Sequence, residues 1–102
     1  MQTVTFELQT TIANKIERYF QLFGNKEAMF DKFIAYQIQS IKREIASMQS
    51  DLSVYEQKHG LNSQAFYELF EQGKLGDSKE FILWSGIYEM QQSCKQKISL
   101  LL

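Results

Sequence analysis

Polar and apolar residues alternate strictly over Thr3-Val4-Thr5-Phe6-Glu7-Leu8, the period-two pattern of a half-buried β-strand. No other segment of the chain has it. A lone strand leaves a row of N–H and C=O groups unpaired, so the pattern predicts pairing with the same strand of a second copy and an obligate homodimer.

Beyond this segment the period becomes helical. Ile12, Ile16, Phe20 and Phe23 share one face of a helix predicted over residues 11–22, capped by Thr10 or Thr11 and stopped at Gly24, where a positive φ carries no penalty. Asn25 is a good N-cap and Glu27 places a negative charge in the next first turn, so a second helix starts near Lys26. Its apolar seam runs Phe30, Ile34, Ile38, Ile41, Ile45, Met48, Leu52, Tyr55, with no breaker before Gly60, a regularity suited to packing along another helix. Unbroken, this helix spans about 50 Å at 1.5 Å per residue. Ser53-Val54-Tyr55-Glu56 also reads as a capping box, which leaves continuity through residues 47–53 open. Asn62 or Ser63 caps a short third helix carrying Phe66, Leu69 and Phe70, and Gly73 ends it before the linker Lys74-Leu75-Gly76. Asp77-Ser78-Lys79-Glu80 reads as a second capping box, opening a last helix with Leu83, Ile87, Met90, Cys94, Ile98 and Leu101 on its apolar face.

The 102 residues contain no proline and five glycines, which moves the expected class to mostly α. The length suits one domain, or a small module with an extension. We divide it into a module over 1–48 and a helical extension over 49–102. With 11 Lys+Arg against 12 Asp+Glu the net charge is -1, so bulk charge supplies no affinity for nucleic acid. Cys94 is the only cysteine, which excludes an intramolecular disulfide. No signal-like segment and no bilayer-length apolar run is present. The expected compartment is the cytoplasm, with no membrane partner.

The strand at Thr3–Leu8, the spacing to Gly24, and Asn25-Lys26-Glu27 opening the second helix resemble the ribbon-helix-helix family of bacterial transcription factors and antitoxins. The resemblance covers somewhat less than half of the chain. It implies an intermolecular antiparallel ribbon laid in the DNA major groove. Val4, Phe6 and Leu8 would face inward, joined in a dimer core by Phe30, Ile34 and Ile38. Thr3, Thr5 and Glu7 would face the bases, and Asn25 with Lys26 would anchor a phosphate. Glu7 departs from the basic or amide residue often found at such a position. It accepts from a cytosine amino group but repels phosphates. Residues 1–50 carry six basic and five acidic side chains, so DNA affinity would rest on local geometry.

Phe66-Tyr67-Glu68-Leu69-Phe70-Glu71-Gln72-Gly73-Lys74-Leu75-Gly76-Asp77, followed by Phe81 and Trp84, is similar to the C-terminal segments of small antitoxin-like proteins. The implied role is toxin neutralisation, with Phe66, Phe70, Leu75, Phe81, Trp84 and Tyr88 as partner-binding residues. Trp and Tyr are favoured interface anchors. The plainer reading is that the same side chains fill the joint between the last two helices. The end Ile98-Ser99-Leu100-Leu101-Leu102 is apolar on all sides and calls for a cover.

Catalytic chemistry finds no footing. His59 is the only histidine and stands at a helix end, where a cationic or hydrogen-bonding side chain suits the dipole. One His and one Cys cannot build a zinc site, and no H-E-x-x-H, P-loop or dinucleotide fingerprint occurs. Glu68 and Glu71 lie on an ordinary polar helix face, and Cys94 reads as a buried inert thiol. No cofactor, metal or small-molecule substrate is expected, and no enzyme activity. The expected architecture is therefore a mostly α ribbon-helix-helix dimer, its single N-terminal strand paired between copies, followed by a C-terminal helical hairpin. The expected function is an antitoxin and operon autorepressor, bound to operator DNA and to a cognate toxin. Its rival is a helical homodimeric protein-interaction module without DNA binding, and a third reading is a structural coiled-coil subunit.

Overall fold

The computed structural model describes all 102 residues, Met1–Leu102, and contains four helices: α1 (Thr10–Phe23), α2 (Lys26–His59), α3 (Ser63–Glu71) and α4 (Lys79–Leu101). The mostly α class holds, and all four expected helices are present. The expected N-terminal strand is not. Residues 1–9 precede α1 without regular structure, and no strand occurs anywhere in the chain, which removes the intermolecular ribbon and with it the ribbon-helix-helix architecture. The physical reason is that period-two alternation specifies which way side chains face, whereas a strand also needs a second edge to bond to. No other segment supplies one.

The chain divides into two compact units, Met1–Phe33 and Ile34–Leu102. This places the division within α2, ahead of the 48/49 boundary read from the sequence.

In the first unit, α1 begins at Thr10 behind Gln9, so neither Thr10 nor Thr11 serves as N-cap. It ends at Gly24, whose φ of 81° suits glycine alone and whose N–H bonds the Phe20 carbonyl at 2.8 Å. Asn25 then starts α2, its Oδ1 accepting from the Ala28 N–H at 3.0 Å. Phe6 and Phe20 both lie against Phe30, with ring centroids 6.4 and 6.2 Å away. The Lys26 ammonium sits 5.1 Å from the centre of the Phe20 ring, within cation–π range. No residue of this unit is buried.

Helix α2 is continuous through residues 47–53. The Ser53 hydroxyl folds back onto the Gln49 carbonyl at 2.8 Å and Ser50 does the same to Ala46 at 3.2 Å, the behaviour of serine inside a helix, not at its start. Ser53 therefore opens no capping box. The second unit builds its core from Leu52, Phe66 and Trp84, each no more than 1% exposed. Trp84 stacks on Phe66 with centroids 3.7 Å apart and planes 3° from parallel, and it also stacks on Tyr55 and His59. Its indole N–H donates to the Ser63 hydroxyl at 2.9 Å, which satisfies the one polar atom that burial would otherwise strand. Helices α3 and α4 pack on each other as the expected hairpin.

Both acidic residues of the supposed capping boxes work between helices. Glu56 on α2 accepts from the Ser63 N–H at 2.8 Å, while Asn62 accepts from Ala65 at 2.8 Å. Together they satisfy two of the free donors at the start of α3. Helix α4 is capped by Ser78, which accepts from Phe81 at 3.3 Å. Glu80 reaches back to the end of α2 instead, 2.9 Å from Lys58 Nζ and 3.1 Å from His59 Nε2.

Candidate protein-binding surface

The residues expected to read DNA are exposed but unorganised. Thr3, Thr5 and Glu7 lie in the irregular N-terminal segment and make no hydrogen bond within the chain. The Asn25 side chain is occupied by its cap, while Lys26 lies over the face of Phe20 and stays exposed.

The expected dimer core is open. Val4, Phe6 and Leu8 are 69%, 62% and 48% exposed, Phe30 and Ile34 are exposed as well, and Ile38 is half-buried. Leu22, Phe23 and Phe33 add to the same apolar exposure in the first unit, and the sequence reading did not single out Leu22 or Phe33. The signal for them was present: Leu22 and Phe33 follow aromatic positions on neighbouring faces, so α1 and the start of α2 are apolar around more of their circumference than one core stripe requires.

The expected partner-binding residues are elsewhere engaged. Phe66 and Trp84 are fully buried, and Phe70, Leu75, Phe81 and Tyr88 pack half-buried around them. The aromatic density of the second half fills the joint between its helices. Exposed apolar surface in this unit comes from other positions: Ile34 and Tyr36 at its start, then Val54, Ile82, Leu83 and Met90, and finally Leu100, Leu101 and Leu102.

Accessible surface gives these observations a scale. The chain exposes 8211 Å², whereas a folded monomer of 12.0 kDa exposes about 6000 Å². The excess is total surface, polar and apolar together, of a chain that divides into two units. No residue before Leu52 is buried, so the first half of the chain has no interior of its own.

Electrostatics in the second unit are local. Lys58 and His59 hold the Glu80 carboxyl below its ordinary range by bonding its charged form. Tyr67 donates to Glu89 at 2.7 Å, and this bond, with partial burial and the charges of Glu89 and Glu71, pushes its phenol up to about 12. Cys94 lines an open groove of about 400 Å³ with Glu44, Met48, Met90 and Lys97. Burial, and then Glu44 beside it, raises its thiol pKa, the opposite of what a nucleophile needs. No three His, Cys, Asp or Glu side chains converge as a metal site requires. No helix is long and apolar enough to cross a membrane. Set against protein families, curated proteins and solved structures, the chain matches none.

Proposed function

We propose that this protein is a homodimerising protein-interaction module that holds a second, different protein, the role an antitoxin plays toward its toxin. One observation carries the reading: the first 51 residues contribute no buried side chain, although they include Phe6, Phe23, Phe30 and Phe33, all exposed. A unit that leaves Phe6, Phe23, Phe30 and Phe33 exposed together is an association site or an aggregation hazard. The second copy covers Phe6, Phe23, Phe30 and Phe33. The second unit, which has its own core, offers Ile82, Leu83 and Met90 to the other protein. It acts by binding, not by catalysis, and in the cytoplasm, where a lone Cys94 stays a thiol.

Co-expression with the product of the adjacent reading frame tests the two-protein reading. Growth arrest by that product alone, relieved by this chain but not by its Leu83→Glu, Met90→Glu double variant, is the expected result. Relief that is absent, or equal with the double variant, overturns it.

A second reading, contact with operator DNA through phosphates, is favoured by the start of α2. There the N–H groups of Lys26 and Glu27 have no partner in the chain, and a helix N-terminus with an adjacent cation suits a phosphate. A gel shift with the chain's own upstream DNA should weaken in Lys26→Glu, and equal shifts would remove this reading.

A further inference from the structure

One cleft of the second unit is polar and belongs to no apolar surface described above. It measures about 280 Å³, just under the ~300–1,000 Å³ of sites for drug-sized ligands, which suits a single side chain better than a cofactor. Its walls include Gln49, Glu56, Ser63, Tyr88, Gln91 and Lys95.

The hydrogen-bond directions in this cleft are fixed from one end. A backbone carbonyl only accepts, so the Ile45 oxygen, 3.2 Å from the Gln91 side chain, demands the Gln91 amide nitrogen. The same NH₂ group donates to Gln49 Oε1 at 3.1 Å. Gln49 must then turn its own NH₂ outward, and it meets Ser53 Oγ and Glu56 Oε1 at 3.4 Å each. Glu56 Oε2 accepts from the Ser63 N–H at 2.8 Å. Every amide proton of Gln49 and Gln91 is engaged within the chain.

What remains is capacity to accept. Gln91 is 2% exposed, and its Oε1 receives no hydrogen bond from the chain. No sealed side-chain nitrogen or oxygen lacks a partner, so this oxygen keeps a small contact with solvent, on a residue that lines the cleft. Glu56 is half-buried and has no cation, since both ion pairs of the molecule belong to Glu80. A half-buried carboxylate that lines the same cleft as an amide oxygen without a donor calls for a ligand that only donates and carries positive charge. Guanidinium fits better than ammonium: its five donors lie in one plane and it is more weakly hydrated. Lys95 on the exposed rim opposes any cation.

We propose that the Glu56–Gln91 cleft receives the guanidinium of an arginine side chain presented by a protein partner. The source of the arginine rests on the protein-binding reading above; the chemistry of the cleft does not.

The test is a nuclear magnetic resonance titration of the full chain with N-acetyl-arginine N-methylamide. Free arginine and the equally blocked lysine form the other arms. The expected result is saturable shifts of the Gln49 and Gln91 side-chain amides with both arginine probes, and weaker binding of lysine. Glu56→Gln should weaken binding about tenfold, the effect of removing one charged hydrogen bond, and Lys95→Ala should strengthen it. Glu56→Gln keeps an oxygen for the Ser63 N–H, and an unchanged emission of Trp84 would confirm its fold. No shift, or shifts that survive Glu56→Gln undiminished, overturns the cleft. Shifts with free arginine but not with the blocked residue overturn a protein side chain as the source. A dimer blind to arginine sinks this proposal alone, whereas a monomer that binds the blocked probe sinks only the dimer.

Discussion

At the residue scale, Trp84 is the keystone of the second unit, because Phe66, Tyr55 and His59 all stack on it and Ser63 accepts from its indole. Phe66→Ala removes the closest ring and leaves a cavity, so denaturant unfolding should show a loss of about 3–5 kcal/mol. As the only tryptophan, Trp84 reports that transition by fluorescence. The density of aromatics from Phe66 to Tyr88 was legible in the sequence as either a joint or an interface, and burial decides for the joint. The roles of Glu56 and Glu80 were not legible. Each stands three residues after a serine or aspartate, which is the local signature of a capping box, yet each bonds a group on another helix or loop. Local spacing cannot distinguish a carboxylate that closes its own helix from one that reaches across a turn. Glu80 yields a pH prediction. Its folded-state pKa is depressed, so its contribution to stability is present above the ordinary carboxylate range and is lost as pH falls through the folded value. Acid unfolding should therefore be steeper below about pH 4.5 in the wild type than in Glu80→Gln. Matching slopes would show that the bridge from α2 to α4 adds nothing.

At the scale of elements, helix existence and order follow from the periodicity, and the glycine stops at Gly24, Gly60 and Gly73 are all used, each with a positive φ. Continuity of α2 was the open point, and it turns on Ser50 and Ser53, whose hydroxyls bond the preceding turn. Ser50 is exposed in mid-helix. Ser50→Pro removes a backbone bond and clashes with the turn before it, so it should cost about 3 kcal/mol or more. Ser50→Ala should be neutral or stabilise by a few tenths of a kcal/mol. Circular dichroism with thermal melting separates the two, and a proline tolerated at no cost would argue for a natural break there. The N-terminal segment is the element that the sequence misrepresents. Val4, Phe6 and Leu8 alternate as a strand would, but alternation reports facing and not pairing. What the pattern does deliver is Phe6, which lies against Phe30.

For the whole molecule, the decisive contrast lies between a second unit with a sealed core and a first unit with none. Chemistry-bearing residues are few, and the cluster of Gln49, Glu56, Ser63 and Gln91 escapes sequence reading because glutamines on helix faces look solvated until the fold brings α2 and α4 together. Self-association is the claim on which the functional account stands, and sedimentation equilibrium across a wide concentration range measures it most directly. The expected result is a species of twice 12.0 kDa, and a Phe23→Glu, Phe33→Glu variant shifted toward monomer with Trp84 emission unchanged. A wild-type chain that stays monomeric and soluble throughout would contradict it.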